Sequence, residues 1–421
     1  MHEMFDLMKL PEYVPLFRSK KVAILGVGAV GSHLAQLLAT MGVGQILCFD
    51  FDDLESGNLS KSAGFLRPED VGRPKALAVA QRTRERMIHG GKCHGIHADL
   101  RCFGPLVFAG LDAVFVTLDN YAAKELVNQL LLQIPEDRRP VVGMAGTNGE
   151  NAAAALLDSR EVCLRCLFDE SWLENSQVRT SCNGPQYMQL DGKEKIIRTS
   201  GLASVTAAAM LAEKFRAWVL KDTEVLNTRA SYIAYPKLKL MDSTLMPRQD
   251  CPDCHGILAP PGAYGLTGSV LTLNLDQAFD QIAQVLETDK FWLQTHLMQF
   301  GGQTYSGFIT QEYCHRCGKP VEVYRHESRV HFEDVLCDSC IVAGKHAFYD
   351  TKRPVGTVLR AFSSEEADQK LRSMTLFELG YPVGGYLYAV CPGSDGVQHT
   401  YCFTCAGDPA VTETAETLER K

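Results

Sequence analysis

Three groups of side chains in this 421-residue chain have the types and spacing to do chemistry. Gly26, Gly28 and Gly31 form the first, a GxGxxG run. It lies between an apolar stretch, Val22 to Leu25, and a segment with Leu34, Leu37, Leu38 and Met41 at helical spacing. Such glycines allow a tight turn and let backbone N–H groups approach phosphates at the positive end of a helix. Asp50, at the end of a second strand-like run from Gln45 to Phe49, is placed for ribose hydroxyls. These features alone would suggest a nicotinamide dehydrogenase. The following residues count against that choice: DFDDLESGNLSKS gathers Asp50, Asp52, Asn58 and Lys61, VGRPKA adds Lys75, and TLDN adds Asp119. Carboxylates and lysines around a phosphate loop suit Mg²⁺ and a triphosphate, whose charge must be neutralised as a phosphorus is attacked. Hydride transfer needs neither.

The second group is a set of CxxC pairs drawn from 15 cysteines. With no secretion signal in sight, paired thiols read as zinc ligands rather than disulfides. Cys314/Cys317 and Cys337/Cys340 fit the C-x₂-C-x₁₅₋₂₀-C-x₂-C window of a zinc ribbon, spanning about residues 312–342. That ribbon would serve as a staple or a protein-docking module. Cys163/Cys166 and Cys251/Cys254 are a second candidate four-thiolate set, joined less firmly by spacing. Cys402/Cys405 has no second pair to join. The third group is a single thiol, Cys182, in the polar sequence RTSCNG. A nucleophilic cysteine needs exposure and a depressed pKa, which Arg179 could help supply. Cys48 sits in an apolar strand, and Cys93, Cys102 and Cys391 lack such a context.

The elements that position these residues follow from periodicity. Strand-like runs at 22–25, 45–49, 111–119 and 138–146 alternate with helical stretches, which implies a parallel, doubly wound α/β sheet. After Cys163 this alternation stops, and 167–198 is polar and irregular. An Ala-rich helix spans about 202–220, and LAPPGAYG at 258–265 marks a boundary between domains 1–260 and 261–421. In the second domain a strand is expected at 270–275, an amphipathic helix at 276–287 and a Gly-rich strand at 380–390. The acidic residues after about 407 are expected to form a flexible tail. Hydrophobic residues at 46% and charged residues at 22% are ordinary for a globular chain. With no apolar run long enough to span a bilayer, a cytoplasmic protein without membrane attachment is expected. A net charge of −8 argues against a broad nucleic-acid or anionic-membrane surface.

GxGxxGS, DxDxxxxxNLxK, DVGRPKA and DN after a strand, in that order from about residue 18 to 257, resemble the ThiF/MoeB and ubiquitin-activating enzyme superfamily. The resemblance implies a Rossmann-like doubly wound adenylation domain, here followed by a zinc-containing α+β C-terminal domain. It also implies ATP-dependent adenylation of the C-terminal glycine of a ubiquitin-like β-grasp protein. On that reading Gly26, Gly28 and Gly31 form the phosphate loop and Asp50 binds ribose. Asn58, Lys61 and Lys75 contact phosphates, Asp119 holds Mg²⁺, and Asp52 lies near the metal or the phosphates. Cys163, Cys166, Cys251 and Cys254 become a structural zinc site. Cys182 matches the crossover-loop cysteine that forms a thioester, with residues 167–198 as the crossover, before transfer to a conjugating-type enzyme. Two departures stand out. Lys61 replaces an arginine, losing bidentate phosphate geometry. Only Lys9 and Arg18 precede the lysines of the first strand as candidates for a family-type arginine finger from a partner subunit, which weakens the implied homodimer. The competing readings are a sulfur-carrier adenylyltransferase that stops at the acyl-adenylate, a zinc-ribbon binding protein with an inactive nucleotide fold, and a nicotinamide oxidoreductase.

Overall fold

A computed structural model of the chain describes residues 10–61, 66–168, 200–233, 239–257, 259–300, 303–314, 316–330, 332–340, 356–393 and 396–408. The contacts divide it into two units, with the main division between Ala259 and Pro260; Arg101–Val107 groups with the second unit.

The first unit is built on eight strands: β1 (Lys21–Leu25), β2 (Gln45–Phe49), β3 (Lys92–Ile96), β4 (Ala113–Val116), β5 (Val141–Asn148), β6 (Asn151–Leu157), β7 (Thr228–Ile233) and β8 (Lys239–Thr244). Their spatial order is β3-β2-β1-β4-β5-β6-β7-β8. The first five run parallel, as the alternation of strands and helices requires. The last three add on antiparallel. Helices are α1 (Leu10–Arg18), α2 (Ala29–Thr40), α3 (Ser56–Leu59), α4 (Lys75–Arg84), α5 (Tyr121–Leu132), α6 (Gly201–Val219) and α7 (Pro252–Gly256).

β4 is AVFV, buried at every position, because helices cover both faces of a parallel sheet. One face packs on α2, α4 and α6 through a single cluster that includes Ile24, Leu34, Val79, Phe115, Leu211 and Phe215. Phe115 and Phe215 meet edge to face, with ring centres 5.2 Å apart. Burying a side chain such as Phe215 contributes roughly 1.5–3 kcal/mol. This core fixes the carboxyl ends of β1, β2 and β4, where the chemistry-bearing loops emerge.

The second unit holds β9 (Tyr264–Leu266), α8 (Leu275–Leu286), β10 (Trp292–Gln294), β11 (Met298–Phe300), β12 (Gln303–Tyr305), β13 (Phe308–Tyr313), β14 (Pro320–His326), β15 (Thr357–Leu359), β16 (Ala361–Ser363), α9 (Gln369–Ser373), β17 (Leu387–Pro392) and β18 (Gln398–Cys405). Five strands form a sheet in the order β16-β10-β17-β18-β9; β14-β13-β15 form a second sheet, and β11-β12 a hairpin. Two expectations are corrected here. Residues 270–275 make a turn that enters α8 rather than a strand. The amides of Thr272 and Leu273 bond the Ser269 carbonyl, and Asp408 takes the Val270 amide, so Val270, Leu271, Leu273 and Leu275 are all buried without a ladder. Of 380–390, only the part from Leu387 onward is strand. The earlier glycines turn the chain, Gly380 at φ +102° and Gly384 at φ +70°. Most of the expected tail, 409–421, lies outside the described residues.

Candidate functional site

The turn after β1 makes the first wall. Gly26 has φ +85°, which only glycine adopts freely, and its amide donates to Phe49 O at 2.8 Å. A Cβ on Gly31 would sit 2.1 Å from Gly26 O, so α2 can approach the turn only with glycine there. A Cβ on Gly28 would meet nothing within 4 Å. The protein itself does not demand glycine at that position. What glycine leaves is open space over the first turn of α2, where Gly28 caps the helix without a side-chain bond. Unbonded first-turn amides and a helix dipole there suit a phosphate.

Asp50 follows β2 directly and reaches this turn. Its carboxylate accepts from the Val27 amide at 2.9 Å and from the Asp52 amide at 3.0 Å. Lys75, the first residue of α4, places its ammonium 3.0 Å from Asp52 and 3.6 Å from Asp50. Its amide also bonds the Asp52 carbonyl. Burial pushes the Asp50 carboxyl up from its ordinary value, against the opposing pull of Lys75. Burial also disfavours the Lys75 cation, but Asp50 and Asp52, joined by Asp119, outweigh it and hold that pKa above the usual lysine value. The ammonium is therefore charged and already engaged by carboxylates.

Sequence reasoning missed the residues that aim Lys75. Asp70 is fully buried and accepts from Arg82 through Nε and Nη2 and from Arg73 through Nη1, all at 3.0–3.1 Å. Burial alone would raise the Asp70 pKa; the Arg82 bonds, the Arg67 amide and the charge of Arg73 more than reverse it. Arg73 O and Leu54 N are 2.8 Å apart, and Gly72 N donates back to Leu54 O, so the segment carrying Lys75 is pinned to the one carrying Asp52. Two of the clamp residues lie in DVGRPKA, and that motif was the available signal.

Asp119 follows β4, and Asn120 caps α5 by accepting from the Ala123 amide at 2.7 Å. Burial raises the Asp119 carboxyl; Lys124 pulls it down, and Asp52 and Asp50 add to the rise. Asp50, Asp52 and Asp119 thus act on one another electrostatically, each tending to raise the pKa of a neighbouring carboxyl. The Lys124 ammonium lies over Tyr121 and Phe168, 4.7 and 5.7 Å from the ring centres.

A cleft beside Lys75 is lined by Gly28, Ala29, Ser32 and Asn58, with Val27, Leu54 and Leu66 as apolar wall. Asn58 also accepts from the Glu55 amide, closing a capping box on α3. Lys61 is not among the lining residues; its carbonyl is 2.8 Å from His33 Nε2.

Both four-cysteine sets are assembled, with the four sulfurs of each within 4.8 Å of one another. Cys163 lies 3.8 Å from Cys166 and 3.7 Å from Cys251, and Cys166 lies 3.5 Å from Cys254. Tetrahedral Zn–S bonds of about 2.3 Å set sulfurs about 3.8 Å apart, so the donors fit zinc. Outer groups orient the thiolates: the Arg248 amide donates to Cys166 Sγ, and Asn128 Nδ2 reaches Cys163 Sγ and Asp253. In the second unit Cys314 and Cys317 sit at the turn between β13 and β14, and Cys317 lies 3.4 Å from Cys337. Cys182 and Arg179 lie outside the described residues, as does nearly all of the crossover segment. Among the described residues no helix is long and apolar enough to cross a membrane.

The model of the ThiF family matches residues 3–255. Ubiquitin-like modifier-activating enzyme 5 of Arabidopsis thaliana is 31% identical over 128 residues, covering 27% of this chain and 29% of that protein. The protein of the same name in Dictyostelium discoideum is 28% identical over 36% of this chain and 42% of its own length. The SAMP-activating enzyme E1 of Haloferax volcanii is 28% identical over 38% of this chain and 58% of its own. The chain thus spans between about three tenths and three fifths of the length of these relatives. The crystal structure of E. coli MccB with ATP superposes with a TM-score of 0.46 at 21% identity, covering 58% of this chain and 69% of that one.

Proposed function

We propose, for a chain that belongs to the ThiF family, the ATP-dependent activation of a ubiquitin-like protein at its C-terminal glycine. The observation that carries this reading is the Asp50–Lys75–Asp52 cluster beside an open glycine turn, with Asp119 in the same field. That arrangement suits a triphosphate and a divalent cation better than a nicotinamide.

In the proposed sequence a carboxylate oxygen of the substrate's terminal glycine attacks the α-phosphorus of ATP. The bond to the bridging oxygen breaks, pyrophosphate leaves, and an acyl-adenylate forms. The α2 amides above Gly28 and the cations Lys75 and Lys61 take up phosphate charge, and Asn58 orients a phosphate oxygen. The remaining lone pairs of Asp50 accept the ribose hydroxyls. Mg²⁺, when bound by Asp119 with Asp52 nearby, supplies charge neutralisation for the leaving pyrophosphate. The Cys182 thiolate then attacks the acyl carbon, AMP leaves, and a thioester results, from which a conjugating-type enzyme takes the acyl group onto its own cysteine. The two zinc sites are structural in this reading, and the working unit is a homodimer.

The test uses wild type and Cys182→Ala, each incubated with Mg·ATP and lysate of the native host. Bound protein is eluted with dithiothreitol and identified by mass spectrometry. A small glycine-ended protein released by wild type alone supports the thioester. Equal non-covalent recovery from both, with AMP still formed, leaves an enzyme that stops at the adenylate, as sulfur-carrier adenylyltransferases do.

A further inference from the structure

Ser32 follows Gly31 in the first turns of α2, a helix of twelve residues. Its amide is satisfied, donating to Gly28 O at 3.1 Å. Its hydroxyl is not. The residue is 1% exposed, and Oγ has no hydrogen-bond partner among the described residues. Buried hydroxyls are normally bonded, because an unpaired one has lost its water without a replacement. A serine in a helix can relieve this by bonding the carbonyl four residues back, yet Oγ makes no such bond here. The side chain instead lines the cleft with Gly28, Ala29, Asn58 and Lys75. Gly28, one turn earlier, lines the same cleft, and a Cβ there would meet nothing within 4 Å.

We infer that Ser32 is a phosphate-binding residue, its hydroxyl donating to a phosphate oxygen of the nucleoside triphosphate at the α2 terminus. This rests on the nucleotide reading proposed above and adds a donor to it. Alanine at this position would suit the empty protein at least as well as serine, since α2 joins the core through its own Leu34, Ala35 and Leu38, and the Ser32 hydroxyl has no bond among the described residues. A hydroxyl that is idle in the empty protein and bonded in the complex makes stability and affinity respond differently to its removal, whereas a packing role would weaken both together.

The experiment compares the full-length wild type with Ser32→Ala and Ser32→Cys. The dissociation constant for Mg·ATP is measured by titration calorimetry, and the melting temperature is measured without nucleotide. The expected result for Ser32→Ala is an ATP affinity weaker by about ten- to hundredfold, the range of one hydrogen bond to a charged acceptor, with a melting temperature equal to or above wild type. Ser32→Cys, near the same volume with a weak donor, falls between. An ATP affinity within twofold of wild type in Ser32→Ala overturns the assignment, and so does a lower melting temperature accompanying the loss. If wild type binds no Mg·ATP, the nucleotide reading fails with it; if wild type binds and Ser32→Ala binds equally, only the Ser32 assignment fails.

Discussion

Replacing Lys75 by methionine removes a charge while keeping an unbranched side chain of similar length, and its consequences can be worked from the distances. At 3.6 Å and an effective dielectric near 20, the attraction to Asp50 is about 4–5 kcal/mol. Asp52 is closer, at 3.0 Å, but its side chain is 55% exposed, so its share is no more than about 1 kcal/mol. Truncating one partner of a buried pair typically costs about 3–5 kcal/mol, and we expect Lys75→Met to fall in that range at pH 7. The sign of the pH dependence follows from Asp50. Its pKa is raised in the folded protein even with Lys75 present, and losing the cation raises it further. A carboxyl with a raised folded pKa favours the folded state at low pH and loses that contribution as pH rises through the folded value. The gap between variant and wild type should therefore narrow as pH is lowered from 7 to 5. Urea unfolding at both pH values measures this directly. Equal urea midpoints at pH 7, or a gap that does not shrink at pH 5, would refute the claim that Lys75 balances a buried Asp50.

Other perturbations follow from the same structure. Arg82→Ala leaves the fully buried Asp70 with Arg73 as its remaining cation and should cost about 3 kcal/mol by chemical denaturation, with ATP affinity falling because the Lys75 segment loses its anchor. Gly31→Ala forces a Cβ to within 2.1 Å of Gly26 O; we expect about 1–3 kcal/mol of destabilisation and loss of measurable ATP binding, read by unfolding and calorimetry. Metal analysis of the purified protein should return two zinc ions per chain, with Cys251→Ser reducing this to one; fewer than two in wild type removes one of the sites.

The parts of the site most legible in the sequence were those set by local backbone. The glycine turn and the carboxyl end of β2 are short-range features, and Gly26, Gly31 and Asp50 sit close together in the folded protein. CxxC spacing likewise brought its pairs together because each pair is held by one turn. What sequence could not supply was the pairing of charges across segments. Lys75 is legible in the sequence as a cation at the head of a helix, but only the fold shows its ammonium resting between two carboxylates. The Asp70–Arg82 clamp depends on α4 folding back over the preceding loop. β6, NAAAALL, carries a run of alanines that favours helix locally; pairing with β5 and β7 on either side overrides it. The alternation at 270–275 misled for the opposite reason, since a turn secured by Asp408 buries its apolar side chains without a strand partner.

Adenylation of a glycine-ended protein is reversible, so it is read by ATP–pyrophosphate exchange. Labelled pyrophosphate should enter ATP only when Mg²⁺ and the captured substrate are both present, and Asp119→Ala should abolish the exchange. Exchange that persists unchanged in Asp119→Ala would contradict the metal assignment. Absence of any exchange with the captured substrate, together with tighter binding of a nicotinamide dinucleotide than of ATP, would contradict the account as a whole.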